Sequence, residues 1–523
     1  MSKWFSMSSP WLVLFSLIHC ASPPQPEVTP EQVQNYTMRF QAAEGHFSKY
    51  HYEGLRKALA LYGQLLDFPG FQNQTGERYL QAALLLALRE KEMGIITSTV
   101  LTDAAAIIDR NPYLEGLRKY LDIVARIPVK AKGITGGNRS EDSDLDDYLD
   151  WIKDNVESIS AHLKAKSASS DLFTYLYIAF HAAYAYKFPE PEDLTPHAER
   201  FPDSPLIKFK LAIHPSLDYA ALDAIIHTDP EFYEADFFIG EVELQRGRVL
   251  SAEKRYLSAF EHIPDSTSLV ISLANVYFHM EEFERCLEFN DKALALAPDY
   301  RDAILGKAMS LGYLGRHQEA LAELGKMMEL GSYYIGESHY WTAWNLNQLG
   351  RVDEAQAQVE QAKNYLIEHH EVMSLSGLVA YQQGRREDAE RDLLEALELD
   401  PHECEAAFYL GKIHADRQEW SESGRFFERS ATCNQQTESE LNARIREIEE
   451  SSMSPARKEK QIRKKKTQLL QARRTKATAA YNAAAGYYNA KMMEPALRLA
   501  ERAAAYPATQ EMALELIDAI KQK

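Results

Sequence analysis

His370-Glu371 and His402-Glu403 are the two places in this 523-residue sequence where histidine and glutamate stand in the order a helical zinc hydrolase site uses. That chemistry needs a second histidine three residues beyond each glutamate, so that two imidazoles share one helix face and hold the metal. Those positions are Ser374 and Ala406, and the ligand set stays incomplete. Asp142-Ser143-Asp144-Leu145-Asp146-Asp147 has the carboxylate spacing with which a calcium loop begins. Such a loop also needs glycine at its sixth position and glutamate at its twelfth. Asp147 and Lys153 stand there, so a helix with acidic residues in its first turn accounts better for the run. There is no phosphate-cradling glycine loop, no dinucleotide fingerprint and no nucleophile elbow. The expectation is a non-enzymatic chain with no cofactor and no metal site.

Four cysteines remain to be placed: Cys20, Cys286, Cys404 and Cys433. Cys20 closes the apolar run Trp11 to Ile18, before which Lys3 is the only charge. The run is too short to span a bilayer and suits the core of a signal peptide. Leu17-Ile18-His19-Cys20, followed by Ala21-Ser22 and Pro23-Pro24-Gln25-Pro26, resembles a bacterial lipoprotein signal, with His19 where a small residue is usual. The resemblance implies a signal peptide over 1–20 ending at a lipidated Cys20, a proline-rich tether over 21–30, and a chain anchored in the bacterial cell envelope. Ordinary cleavage near Ser22, giving a secreted soluble protein, is the other outcome. The net charge of -19 argues against nucleic acid as a partner, because a polyanion repels phosphates.

The composition, 45% hydrophobic and 26% charged, is that of a folded chain, and its organising feature is a period. Ala252, Cys286, Ala320, Ala355, Ala389 and Ser423 follow one another at steps of 34, 34, 35, 34 and 34 residues. Twelve residues before each stands Gly240, Ala274, Ala308, Ala343, Gly377 or Gly411. Seven residues after each stands Ala259, Ala293, Met327, Ala362, Ala396 or Ser430, small everywhere except at Met327. Gly247, Gly315, Gly350 and Gly384 mark a turn, and Pro264, Pro298 and Pro401 close three units. Two antiparallel helices approach closely only where side chains are small. Glycine releases the first helix and proline cannot continue the second. A single hairpin cannot bury its apolar face, so hairpins must stack.

Period, small positions, turn glycine and closing proline together resemble the tetratricopeptide repeat (TPR) family. The fold expected is all-α: a right-handed α-solenoid of TPR helical hairpins. Residues 31–232 read as diverged hairpins, 233–436 as six TPR units, and 477–523 as a last unit with a capping helix. The resemblance implies a groove on the concave face, lined by the first helix of each unit. At the lining positions stand Phe237, Asn275 and Phe278, then Tyr313, Tyr340, Trp344 and Asn347, then Tyr381 and Phe408. Lys412 is the only basic residue at these positions, while Glu234, Asp302, Glu337, Glu371 and Glu405 line one rim. A neutral or basic protein or peptide is therefore the expected partner, held by aromatic stacking and amide hydrogen bonds. A glycan or small ligand serving a transport or secretion system is the alternative. In the sixth unit Cys404 opens the first helix and Cys433 lies past the second. An antiparallel hairpin brings those ends together, which allows a disulfide, whereas splayed ends leave two thiols. Cys286 replaces a packing alanine and should be buried and unpaired.

Residues 437–476 are extra to the repeat and divide by charge. Leu441, Ile445 and Ile448 share one face of the first half; Ser454-Pro455 reads as a helix start. The second half carries Arg457, Lys458, Lys460, Arg463, Lys464, Lys465, Lys466, Arg473, Arg474 and Lys476 against Glu459. We expect a protruding charged helical hairpin. Its basic helix either faces water and pairs with its own acidic partner, or docks an acidic partner or anionic lipid headgroups.

Overall fold

The computed structural model describes residues 28–129, 143–185, 193, 195–331 and 334–522; of 143–150, 152 and 198 the backbone alone is described. Cys20, the expected signal peptide and the tether up to residue 27 lie outside the described residues. Among the described residues there are 25 α-helices, one 3-10 helix and no strand, and none of the helices is long and apolar enough to cross a membrane. The chain divides into two compact bodies, 1–273 and 274–523.

In the N-terminal body the helices are α1 (Pro30–Phe47), α2 (Tyr52–Gly63), α3 (Gln72–Glu92), α4 (Val100–Arg110), α5 (Arg118–Arg126), α6 (Ser143–Ser167), α7 (Asp171–Ala183), α8 (Thr195–Arg200), α9 (Pro205–Ile213), α10 (Tyr219–Thr228), α11 (Tyr233–Gln245) and α12 (Val249–His262). The first begins at a capping box. Thr29 Oγ1 accepts the Gln32 amide at 3.2 Å and Gln32 Oε1 accepts the Thr29 amide at 2.9 Å, with Pro30 at the first helical position. The centre of this body is ionic. Lys210 Nζ reaches Glu92 Oε1 at 2.5 Å, and Arg89 lies 3.2 Å from Glu92 and 3.8 Å from Glu234. All four are buried. Tyr175 donates to Glu92 at 2.5 Å, and the Arg89 guanidinium stacks 3.9 Å over Phe209. Nothing in the period of the sequence announces this network.

Next, α13 (Thr267–His279) crosses the division between the bodies. The C-terminal body continues with α14 (Phe283–Leu296), α15 (Arg301–Tyr313), α16 (His317–Glu329), α17 (Ile335–Gln348), α18 (Val352–Tyr365), α19 (His370–Gln382), α20 (Arg386–Leu399), α21 (Cys404–Asp416), α22 (Trp420–Glu450), α23 (Pro455–Asn489), α24 (Met493–Ala504) and α25 (Gln510–Lys521). Consecutive helices pair as hairpins, which gives the solenoid its unit. The small positions are where they touch: Ala343, Ala355, Ala389 and Ala396 are each completely buried. A Cβ on Gly377 would stand 2.5 Å from Leu393 Cγ and 3.1 Å from the Ala389 carbonyl, so no larger residue fits there.

The turn inside each hairpin needs one left-handed residue. Gly384 supplies it at φ 78°, with the Arg385 amide reaching back to the Ala380 carbonyl at 2.9 Å. In three units the same position is not glycine. Glu281, Gln418 and Lys491 sit there at φ 55°, 60° and 62°, a conformation disfavoured for L-residues by about 1 kcal/mol or more.

The charged segment is continuous with its neighbours. One 31-residue helix, α22, runs through residue 436, and the 35-residue α23 runs through 476 into the last unit. The hairpin projects from the sixth unit, and its far end rests on the loop before α14. Cys404 and Cys433 are joined in a disulfide with a Cα separation of 5.4 Å, close to its root. Cys286 is buried and free; burial pushes its thiol up to about 11.

Candidate groove between the repeats and the arm

Because the first helices of successive units lie parallel, residues on their inner faces line up from unit to unit. Phe278 of α13 meets Tyr313 of α15 with ring centroids 5.8 Å apart, and Phe283 of α14 stacks on Tyr313 at 4.7 Å, nearly parallel. Tyr313 reaches Trp341 and Trp344 of α17, each at 5.7 Å. Trp341 lies 5.6 Å from Trp344 and 5.3 Å from Tyr340. These contacts form a continuous aromatic floor over three units. Tyr313 is 48% exposed, which is unusual for a tyrosine with so many ring neighbours and marks an open, concave surface. Asn347 Oδ1 is buried with no hydrogen-bond partner, and Asn275 is exposed.

A second aromatic group lies further along. Tyr381 of α19 and Tyr409 of α21 are 5.1 Å apart, with Lys412 over both rings at 4.7 and 5.0 Å. Phe408 packs on Phe427 at 5.3 Å and so belongs partly to the core.

Carboxylates frame the floor. Burial raises the Tyr340 phenol well above its usual range, and Glu371, Glu403 and Glu405 add to the effect. Glu405 is itself open to solvent yet has protein on most sides, as a residue on a concave wall does. That enclosure raises its carboxyl, and Glu403 raises it further. Glu403 is engaged by His370 at 2.6 Å; Glu371 and Glu405 form no ion pair among the described residues.

Phe237 is a correction. It lies in the N-terminal body, is 4% exposed, and packs against Phe238 and Tyr256. The lining pattern of one helix assumes an open neighbour on its concave side, and here the position is core. Sequence reasoning also passed over Trp341 and Tyr409, each next to a chosen residue, and Phe283 on a second helix. Their aromatic type alone was the available signal.

The larger omission is the arm. Arg457 Nε meets Glu282 Oε1 at 2.6 Å and Gln461 donates to the same oxygen at 2.9 Å. Lys465 and Gln468 donate to the two Glu281 oxygens at 2.7 and 2.9 Å, and Lys464 donates to the Glu281 carbonyl at 2.6 Å. Lys464 also sits 4.3 Å from the Phe283 ring centre, against the aromatic floor. Burial opposes ionisation of Glu281 and Glu282, but these donors outweigh it and hold both carboxyls below their usual range. At the root, Arg473 and Lys476 both engage Glu438. Between root and tip, α23 faces α21 across a cavity of about 430 Å³ lined by Glu405, Phe408, Tyr409, Asn434, Gln471 and Arg474, among others. The inner face of the basic helix is thus paired within the chain, while Lys460, Arg463 and Leu470 remain exposed on its outer side.

The two zinc-like pairs meet across the turn: His370 of the first, Glu403 of the second and Asp400 place one ligand atom each within 4.8 Å of one another, on partly exposed surface. His370 Nδ1 is held by Glu403, and His402 Nδ1 lies 3.4 Å from Asp400 beside its own turn.

Comparison with known proteins agrees with this hairpin geometry. Residues 375–436 match the family model described as a tetratricopeptide repeat. The chain is 30% identical over 172 residues to anaphase-promoting complex subunit 7 of Dictyostelium discoideum, covering 32% of this chain and 28% of that protein. It therefore spans less than a third of the curated relative it matches. Solved structures to which the chain shows similarity include a tetratricopeptide repeat protein of Parabacteroides merdae (14% identity, 52% of this chain and 97% of that one, TM-score 0.36) and PilF of Pseudomonas aeruginosa (16%, 38% and 90%, TM-score 0.34). Residues 375–436, most of units five and six, thus carry the tetratricopeptide-repeat match, and a helical hairpin recurs at each step from Tyr233.

Proposed function

We propose that this protein is a binding scaffold that holds an extended segment of a partner protein against the aromatic floor of units two to five. The observation that supports this most is the continuous ring path Phe278–Tyr313–Trp341, with Trp344 and Tyr340 each against Trp341, open to solvent at Tyr313 and framed by Glu371. Flat rings take apolar and peptide-plane contacts at low entropic cost, and Asn275 and Asn347 can hydrogen-bond backbone amides. Over this stretch the anionic rim favours a neutral or basic segment. The matched relative is by name a subunit of a complex, in keeping with an assembly role. A glycan is the second reading, since rings and amides also suit sugars; a protein captured by the wild type distinguishes the two.

The test is affinity capture from the native source with wild type and a Trp344→Ala, Tyr381→Ala variant of unchanged helicity. Loss of at least about 2 kcal/mol of partner affinity is expected if Trp344 is an anchor. Undiminished capture by the folded variant removes the site from the groove.

We further propose an envelope location with a lipid on Cys20, on the strength of the apolar run and the prolines after it. Detergent phase partitioning should place wild type in the detergent phase and Cys20→Ala in the aqueous phase; equal aqueous partitioning overturns the anchor.

A further inference from the structure

The arm crosses a groove that its own repeats build, and the one cation it presents to the cavity at the sixth unit is left over. Along the inner side of α23, Arg457, Lys464 and Lys465 are engaged by Glu281 and Glu282, and Arg473 and Lys476 by Glu438. The Arg474 side chain makes no hydrogen bond or ion pair among the described residues and lines the cavity of about 430 Å³ between α21 and α23. On the opposite wall Glu405 also lacks a cation. Phe408 and Tyr409 supply two rings, and Asn434 and Gln471 supply amides. Lys412, one turn beyond Phe408, sits over Tyr409 with no carboxylate partner.

We propose that α23 is the second wall of the ligand channel and that Arg474 holds an acidic side chain, Asp or Glu, of the bound partner segment in this cavity. The proposal rests on the groove being a peptide site, and it gives the segment a direction. Neutral or basic residues lie over Tyr340 and Glu371, and a carboxylate lies at the sixth unit. A guanidinium pairs a carboxylate through two parallel hydrogen bonds, and a lone Arg474 has both free. Glu405 narrows the class. A compact dianion such as phosphate is repelled by a carboxylate on the facing wall, whereas a peptide brings backbone N–H groups for Glu405 to accept beside its own carboxylate. Phe408 and Tyr409 take an apolar neighbour of the acidic residue. Arg474 is the one cation among the residues that line this cavity, and Lys412 lies outside it, so the anion-binding group comes from an element outside the repeat.

A displayed library of random linear peptides, selected against the full chain, provides the probe. Wild type should enrich peptides with one acidic residue next to an aromatic or aliphatic one. Arg474→Gln should lose the acidic preference and keep the aromatic one, and Arg474→Glu should replace it by Lys or Arg. For a selected peptide, Arg474→Gln and Glu→Gln in the peptide should each weaken binding about ten-fold, and the two together no more than either alone. Arg474 is exposed and unpaired, so folding is untouched by its replacement. Acidic enrichment that persists in Arg474→Gln, or no acidic enrichment in wild type, overturns the proposal. If peptides are still selected and lost on Trp344→Ala, Tyr381→Ala, the groove reading survives that failure. If wild type selects no peptide, both fall.

Discussion

Lys465 donates to the Glu281 carboxylate at 2.7 Å across 184 positions of sequence, and the residue it grips is one of the three that occupy the left-handed hairpin turn without being glycine. The arm thus lands where the repeat is strained. Glu281→Gly and Glu281→Gln separate the two effects. Glycine should recover about 1 kcal/mol of turn strain while losing the clasp, and glutamine keeps the strain and loses the charge. Glu281→Gln should cost about 1–3 kcal/mol, because Lys465 stays buried without its counter-ion. The clasp should also be acid-labile. Both carboxyls are held below their usual range, so their contribution is present above that range and lost as pH falls through the lower folded values. Spin labels at residues 460 and 284 should report a distance distribution that broadens at acid pH in wild type and at neutral pH in Glu281→Gln.

A pH effect of opposite sign belongs to the N-terminal body. Burial raises Glu234 to about 7 against Arg89, and one of its oxygens has no partner. Its folded value lies above its unfolded one, so the stability it contributes is full below about pH 4.5 and is lost as pH rises towards 7. Glu92, which Lys210 and Arg89 hold low against burial, acts only at more acid pH, and His51, lowered by burial, loses stability on acidification. The difference in thermal unfolding between wild type and Glu234→Gln isolates the one group. Glu234→Gln should gain relative to wild type between pH 5 and 8, and a flat difference would show that Glu234 titrates normally.

The packing and turn positions predict opposite signs. Ala389→Leu puts a large side chain where the carbonyl of Ala389 already faces Gly377; it should destabilise by roughly 1–3 kcal/mol. Gln418→Gly should stabilise by about 1 kcal/mol, since its φ of 60° suits glycine. Chemical denaturation of the full chain reads both.

The disulfide closes a loop of 29 residues. Cys433→Ser should therefore remove roughly 3–4 kcal/mol in the chain-entropy account, and hydrogen exchange should rise first around residues 404 and 433. Unchanged exchange there would show that helix packing alone holds the hairpin ends.

The hairpin array was legible because it is written in small residues at fixed steps, and close helix approach admits little else. The aromatic floor was legible only as far as unit geometry is uniform. The rings are continuous from Phe278 to Trp344, Phe408 is partly core, and at Phe237 the neighbouring element turns the position into core altogether. The ionic centre around Arg89 and Lys210 was not legible at all, since its members lie on α3, α9 and α11 with no shared period. The landing site of the arm was half visible: Glu281 breaks the glycine column of the turn, but nothing in one dimension pairs it with Lys465.

The unbroken α22 has a mechanical meaning. At about 1.5 Å per residue its 31 residues form a rod of about 46 Å, with its root in the sixth hairpin. Such a rod is a lever. Its free length beyond the root at Glu438 is about 20 Å, so one degree of tilt there moves the tip by about 0.3 Å, and several degrees carry charged groups past hydrogen-bonding range. Whatever wedges the sixth hairpin is amplified at Glu281, and whatever unclasps Glu281 is felt, geared down, at the sixth hairpin.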